Sequence, residues 1–458
     1  MILISLAIGI AVIVLLTTIL RVHAFFALLL ASFAVGLCMQ MPAGAVITSV
    51  KEGFGNILTS LGLIIILGTT LGVLLEHTGS TKVMADFILR RTGERRAPLA
   101  MSITGFIVGL PIFCDSGYIV LSGLNRTLSK RTGIPIIVMS TSLASGLYAV
   151  HCLIPPHPGA AAAAGALGVD MGGLILLGVP LAIPAMFTGY WWANYAGRRF
   201  VASNTGAAGQ SDSALQPGEP DSVGHRPSDQ PGQPPVWKAF LPIVVPILLI
   251  AIRSFMVMDK AAGSRWIPVF SFLGDPVIAL SAGVLLAFFA GRSWNRREVS
   301  DSLAEAVEKA GGILVIIGAG GGFGAVIAAV HPGQPFGQML GGWGLPGGSL
   351  GLLFPFLLTA LLKTAQGSST VAIITAASII QPLLPALGLT DAHASLFCVL
   401  SMGAGSMMIS HANDAYFWVI ARFSGLDMRP MLKVYSMATL LMGIVTFLTV
   451  YIFYLVTG

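Results

Sequence analysis

Only a few side chains in this sequence can do chemistry inside an apolar setting, and they fall into two clusters. The first holds Asp115 within Leu110-Pro111-Ile112-Phe113-Cys114-Asp115-Ser116-Gly117, then His151 and His157 within His151-Cys152-Leu153-Ile154-Pro155-Pro156-His157-Pro158-Gly159. The second holds Lys363 and Gln366-Gly367-Ser368-Ser369-Thr370, then Ser410-His411-Ala412-Asn413-Asp414. Carboxylates and imidazoles can pick up and release protons, which makes Asp115, His411 and Asp414 the candidates for moving a coupling proton. The second tip is neutral and rich in donors. Gln366, Gly367, Ser368, Ser369 and Thr370 stand where a helix would begin, so unpaired backbone N–H groups and the helix dipole favour an anion there. Their hydroxyls suit a polyhydroxylated solute. Ser116, His157 and Asn413 complete the candidate substrate-binding set.

The chemistry needs a frame that tolerates charge at depth. The chain has 458 residues, of which 55% are hydrophobic and only 10% charged. A soluble domain carries roughly 25% charged residues, so this surface is made for lipid. A charged residue at the bilayer centre costs roughly 2.5–3.5 kcal/mol on an insertion scale and by default faces a cavity with a function. Residues 1–20 lack a basic segment and a small-residue cleavage site, so they read as a first span and not as a cleaved signal.

Apolar runs predict spans at 2–20, 24–40, 57–75, 134–152 (with a continuation to 168 as the alternative) and 172–196, then at 239–257, 274–291, 310–330, 392–421 and 431–457. Two stretches, 98–128 and 350–385, are instead pairs of short apolar arms around a polar tip. They predict re-entrant helical hairpins. Residues 200–236 are rich in Ser, Gly, Pro, Gln and Asp and predict a flexible cytoplasmic linker. The linker separates a first transmembrane repeat, 1–199, from a second, 237–458.

The halves echo each other. Leu110–Tyr118 corresponds to Leu362–Thr370, Ser145-Gly146 to Gly405-Ser406, and Gly168-Val169-Asp170-Met171 to Gly425-Leu426-Asp427-Met428. Each half then holds five crossings and one hairpin. Five is odd, so the second repeat is inverted, and the expected fold class is an all-α polytopic membrane protein of two inverted repeats. Charge tests the count. With these spans, 20 of the 25 Lys and Arg residues fall on one side; Lys51, Arg253, Lys260 and Arg265 fall on the other, and Lys363 lies in a hairpin. Lys and Arg concentrate in cytoplasmic loops, so both termini are expected outside. The same placement accounts for the formal charge of +6 without nucleic acid.

Other chemistries fit less well. His151, His157 and His411 match no zinc spacing. Cys38, Cys114, Cys152 and Cys398 lie in apolar segments without a CxxC pair and read as free thiols. Gly318–Gly324 (GAGGGFG) sits inside an apolar span with no strand before it, so close helix packing explains it better than a nucleotide. No cofactor is expected. For a membrane-embedded hydrolase no nucleophile lies next to a histidine with supporting spacing, and the inverted repeat favours alternating access; accumulation against a gradient would exclude a passive channel. Broken helices at matching places in two repeats point to a secondary transporter.

At these motifs the sequence resembles the gluconate permease family, the gluconate:proton symporters of the larger ion-transporter superfamily. The matching residues are Gly53-Phe54-Gly55, Gly62, Leu67-Gly68, Gly72, Gly109–Asp115, Pro155–Gly159, Ala365–Ala372 and Ser410–Trp418. The resemblance runs from about residue 50 to the C-terminus, apart from the linker. It departs at the first tip, where the family has an acid followed by Val-Gly-Phe and this chain has Asp115-Ser116-Gly117-Tyr118; the Ser122–Arg126 stretch also departs. The resemblance implies a small carboxylate substrate such as gluconate or another sugar acid, with glycerate and D-serine as alternatives. It further implies proton coupling, with sodium as the rival, a bacterial inner membrane, and a homodimer with a moving transport part.

Overall fold

The computed structural model describes residues 2–93, 96–205, 234–258, 267–290, 294–329, 349–412 and 414–457. Among them there is no strand. Seven helices are long and apolar enough to cross a membrane, and an eighth is reached if Ile267–Leu273 and Pro276–Ala290, bent by 61°, form one span. Outward-facing side chains such as Phe289 (74% exposed) and Trp191 (60%) are apolar, as a lipid-facing surface requires.

In the first half, α1 (Ile2–Val14) and α2 (Ala24–Cys38) precede a 35-residue helix, α3 (Ala43–His77). The short α4 (Ser80–Thr92) leads to α5 (Ala97–Gly109) and α6 (Cys114–Thr132). Then come α7 (Ile136–Leu153), α8 (Pro158–Leu167) and α9 (Met171–Thr205). The second half begins with α10 (Val236–Met258), α11 (Ile267–Leu273), α12 (Pro276–Ala290) and the 34-residue α13 (Arg296–Ala329). It continues with α14 (Leu353–Gln366), α15 (Ser369–Ile380), α16 (Ala392–Ser406), α17 (Ala415–Ser424) and α18 (Met437–Thr457). Of the stretch read as a linker, 206–233 lie outside the described residues.

Two spans are longer than apolar length alone predicts. The run 57–75 lies in the C-terminal part of α3, and 310–329 of the run 310–330 is the C-terminal part of α13. The polar turns at Lys51-Glu52 and Glu305-Lys309 stay helical because nothing in them stops a helix. His77 Nε2 meets Glu305 Oε2 at 2.9 Å, which ties the end of α3 to α13, and Lys309 Nζ holds the same carboxylate one turn on at 2.6 Å. The two helices cross where Gly53 and Gly321 meet: a Cβ on either would lie 2.3 or 2.5 Å from the other's carbonyl oxygen. The glycine-rich run of α13 is therefore a packing surface, as the sequence reading held.

The breaks follow from proline, glycine and capping. Between α5 and α6 the chain turns at Leu110–Phe113; between α7 and α8 it turns at Ile154–His157, through a cis Pro155-Pro156 bond. Gly367, with φ +83°, closes α14, and Ser368 starts α15 by accepting Val371 N–H at 3.3 Å. Asp414 starts α17 the same way, accepting Tyr416 N–H at 3.0 Å. The break before it strains Ile409, a β-branched residue at φ +41°. Gly168 and Gly425 end α8 and α17 in the left-handed region, at φ +68° and +65°, so matching sequence makes matching helix stops.

The second arm after Ser368 is longer than a short returning arm. Through a 3-10 turn at Gln381–Leu383, the stretch Ser369–Leu387 is itself long and apolar enough to cross. Packing is paired across the halves. α5 packs on α7 and α14 on α16; α15 packs on α8 and α6 on α17. The α7–α8 unit lies innermost, with 89% of its apolar window buried against 28% for Met428–Thr457.

Candidate functional site

Four helix breaks face one another in the interior. Lys363, fully buried on the last turn of α14, is held there by length and register. Four residues before Gly367, its Nζ reaches back to donate to the Gly367 carbonyl and forward to Asp414 Oδ2 at 2.6 Å. Asp414 collects more donors: Ser410 Oγ at 2.5 Å on Oδ2 and Tyr416 N–H on Oδ1. Ser410 is fixed in turn, its N–H donating to Thr439 Oγ1 at 3.0 Å and its carbonyl accepting from Ser436. One ion pair thus links the second hairpin tip to the second helix break.

An aromatic wall surrounds it. The Lys363 ammonium lies 5.9 Å from the centre of the Tyr148 ring, which favours the cation. Tyr148 stacks on Tyr416 at 5.7 Å and donates from its hydroxyl to the Ser406 carbonyl at 3.0 Å. Tyr118 on α6 packs edge-on to Tyr416, and its hydroxyl lies 2.5 Å from Ser424 Oγ.

Asp115 sits in the first turn of α6, partly buried, with Cys114 Sγ 3.8 Å from its Oδ1. It is within electrostatic reach of both Asp414 and Lys363. Asp115 and Asp414, 299 positions apart in the chain, therefore share one centre.

The first break meets the second tip through histidine. His151 Nε2 lies 3.5 Å from Thr370 Oγ1, and its ring centre is 4.8 Å from that of His157. His157 Nε2 donates to the Gly109 carbonyl at 2.7 Å, so it latches the end of α5. His151 Nδ1 is buried without a partner, and so are both ends of the Gln366 amide. A buried polar atom left unpaired costs about 1–3 kcal/mol. Three such atoms on the first break and the second tip mark a place that a polar molecule can satisfy.

The predicted residues divide accordingly. Asp115, Gly367, Ser369 and Asp414 gather around Lys363; Ser369 Oγ lies among Tyr148 and Cys152. Gln366 and Thr370 flank that centre, and Ser368 serves as the α15 cap. His411 turns its Nε2 to the Thr364 carbonyl at 3.0 Å. Ser116 faces another way, into a small cleft shared with Thr69, Glu76 and Lys309. Asn413 lies outside the described residues. Sequence reasoning left Lys363, Tyr148 and His151 without a role. The available signal for Lys363 was its spacing, one turn before a helix-ending glycine at a polar tip. Among the described residues no group of three or more His, Cys, Asp or Glu is placed to hold a metal ion.

The family model described as GntP family permease matches residues 1–456. The chain belongs to the GntP permease family. The match includes the N-terminal helices, which the motif resemblance from residue 50 did not reach. The high-affinity gluconate transporter of Escherichia coli K12 is 32% identical over 440 residues, covering 95% of this chain and 95% of that one. The Gnt-II system L-idonate transporter of the same organism is 30% identical over 453 residues, covering 98% of each chain. The solved YdaH transporter of Alcanivorax borkumensis shares the fold, with a TM-score of 0.59 at 15% identity, covering 91% of this chain and 90% of that one. This GntP permease is a multi-pass membrane transporter, and not an enzyme.

Proposed function

We propose that the protein takes up a small sugar acid, gluconate or a close relative, across a bacterial inner membrane together with protons. The observation that carries this reading is the interior centre in which Asp115 and Asp414 lie with Lys363, beside the unpaired amide of Gln366 and the unpaired Nδ1 of His151. The carboxylates supply proton carriers. The tip at Gln366–Thr370 supplies donors for a carboxylate and hydroxyls, and the relatives' names supply the solute class.

The reading includes two inverted repeats, each with five crossings and a re-entrant hairpin. In its support, α5–α6 and α14–α15 occupy matching positions, as do α7–α8 and α16–α17, and α3 and α13. Both termini are then outside; a C-terminal alkaline phosphatase fusion that stays inactive, as it does in the reducing cytoplasm, would remove this orientation. The homodimer rests on the family resemblance, and a single-chain mass in nanodiscs would remove it.

The test of function is uptake of labelled gluconate into proteoliposomes. An inward proton gradient is expected to drive accumulation, and replacing sodium with choline to leave it unchanged. Loss of uptake in choline would give the coupling to sodium. Asp115→Asn and Asp414→Asn are each expected to weaken the dependence on the proton gradient. Unchanged dependence in both, with uptake intact, would remove the carboxylates as carriers and leave His411.

A further inference from the structure

Lys363 is the one cation among the described residues that is fully buried beside the tip. Its place in the chemistry follows from its partners. Nζ has three protons; one goes to the Gly367 carbonyl and one to Asp414 Oδ2. Gly367 begins the donor-rich stretch Gly367–Thr370, so the ammonium lies at the rim of the anion-binding tip. Asp414 carries two donors besides Lys363, from Ser410 Oγ and Tyr416 N–H. It can lose the lysine and keep its position.

We infer that Lys363 is the cation that receives the substrate's carboxylate, and that Asp414 occupies it in the empty carrier until a proton neutralises Asp414. The inference rests on the uptake reading above and names the contact that joins its two solutes. In the empty site Lys363 (+1) and Asp414 (−1) cancel. A carboxylate arriving alone would leave an excess negative charge in a dry interior. A proton on Asp414 releases the ammonium, and the carboxylate takes the vacated position. Loaded and empty sites then carry the same charge. On release the proton and the anion leave, and the ion pair closes again.

The groups facing Asp414 are Lys363 from α14, Asp115 and Cys114 from α6, Tyr148 and Cys152 from α7, and Tyr435 from the turn before α18. Asp115 is the second acid of the centre, and a proton that passes through it to Asp414 leaves its charge as it was. Cation and anion therefore enter one for one.

The deciding experiment is labelled gluconate binding to the full chain in nanodiscs, with uptake alongside. Lys363→Met/Asp414→Asn removes both charges of the pair and keeps the α17 cap. It is expected to fold and to bind gluconate roughly a hundredfold more weakly or worse. Asp414→Asn keeps the cap on α17 and frees the ammonium; it is expected to bind at least as tightly as wild type, with affinity that no longer falls as pH rises. Wild-type uptake is expected to respond to a pH gradient and not to a potassium diffusion potential. Retained binding in the folded double variant, or uptake driven several-fold by the potential, overturns the inference while the uptake reading stands. A wild-type protein that takes up neither gluconate nor L-idonate overturns the reading, and the inference with it.

Discussion

Lys363→Met alone is expected to lower the unfolding free energy of the protein in detergent by about 3–5 kcal/mol, the cost of leaving a buried partner uncompensated. Asp414 is 5% exposed and loses its only cationic hydrogen-bond donor among the described residues, while Ser410 and Tyr416 still hold it in place. The carboxylate cannot move to water without breaking the α17 cap. Lys363→Met/Asp414→Asn should recover most of the loss, since both charges of the pair are gone and Asn keeps the α17 cap. The midpoint of thermal unfolding, followed by tryptophan fluorescence, separates the cases. Equal destabilisation of single and double variants would mean that side-chain packing, and not charge, is what Lys363 contributes.

Gly146→Ala should cost about 2–3 kcal/mol, the upper end for overpacking a filled interior. An added Cβ would lie 2.0 Å from the Ser102 carbonyl oxygen and 2.8 Å from Phe106 N. Both are backbone atoms of α5, so no rotamer change relieves them. The same crossing recurs in the second half, where a Cβ on Gly405 would lie 2.3 Å from the Phe356 carbonyl oxygen of α14. Gly405→Ala should cost a similar amount. Helix propensity runs the other way, since Ala is better than Gly by about 1 kcal/mol. Gly312→Ala, where a Cβ on α13 meets nothing within 4 Å, is the control and should be neutral or stabilising. Destabilisation of Gly312→Ala by as much as Gly146→Ala would sink the packing argument.

The breaks were legible because they are made by backbone chemistry. Single prolines stay inside α9 (Pro180, Pro184) and α10 (Pro242, Pro246), but Pro111, the pair Pro155-Pro156 and Gly367 each stand beside polar residues in an apolar run, and there the helix stops. The glycines of α13 were legible for the same local reason. The lengths of α3 and α13 were not, because hydropathy reports burial in lipid and not helix, and both helices run on through charged turns. Pairings across the chain were less visible still. Lys363 and Asp414 lie 51 positions apart and meet through the packing of α14 and the α16–α17 break. His151 and Thr370 lie 219 apart. Ser116 shows the limit of reading by proximity in sequence. It is next to Asp115, yet one helical step of about 100° turns it towards Glu76 and Lys309 instead.

The four cysteines carry a consequence for labelling chemistry. Cys38 is exposed, Cys398 is buried away from the centre, and Cys114 and Cys152 stand in the wall around the Lys363–Asp414 pair. Cys38, the last residue of α2, is therefore the one exposed thiol in this structure. With Cys38 exchanged for serine, the chain carries its own clock: each adduct on Cys114 or Cys152 records a moment when water reached the interior. The native sequence thus comes with its gating reporters already in place.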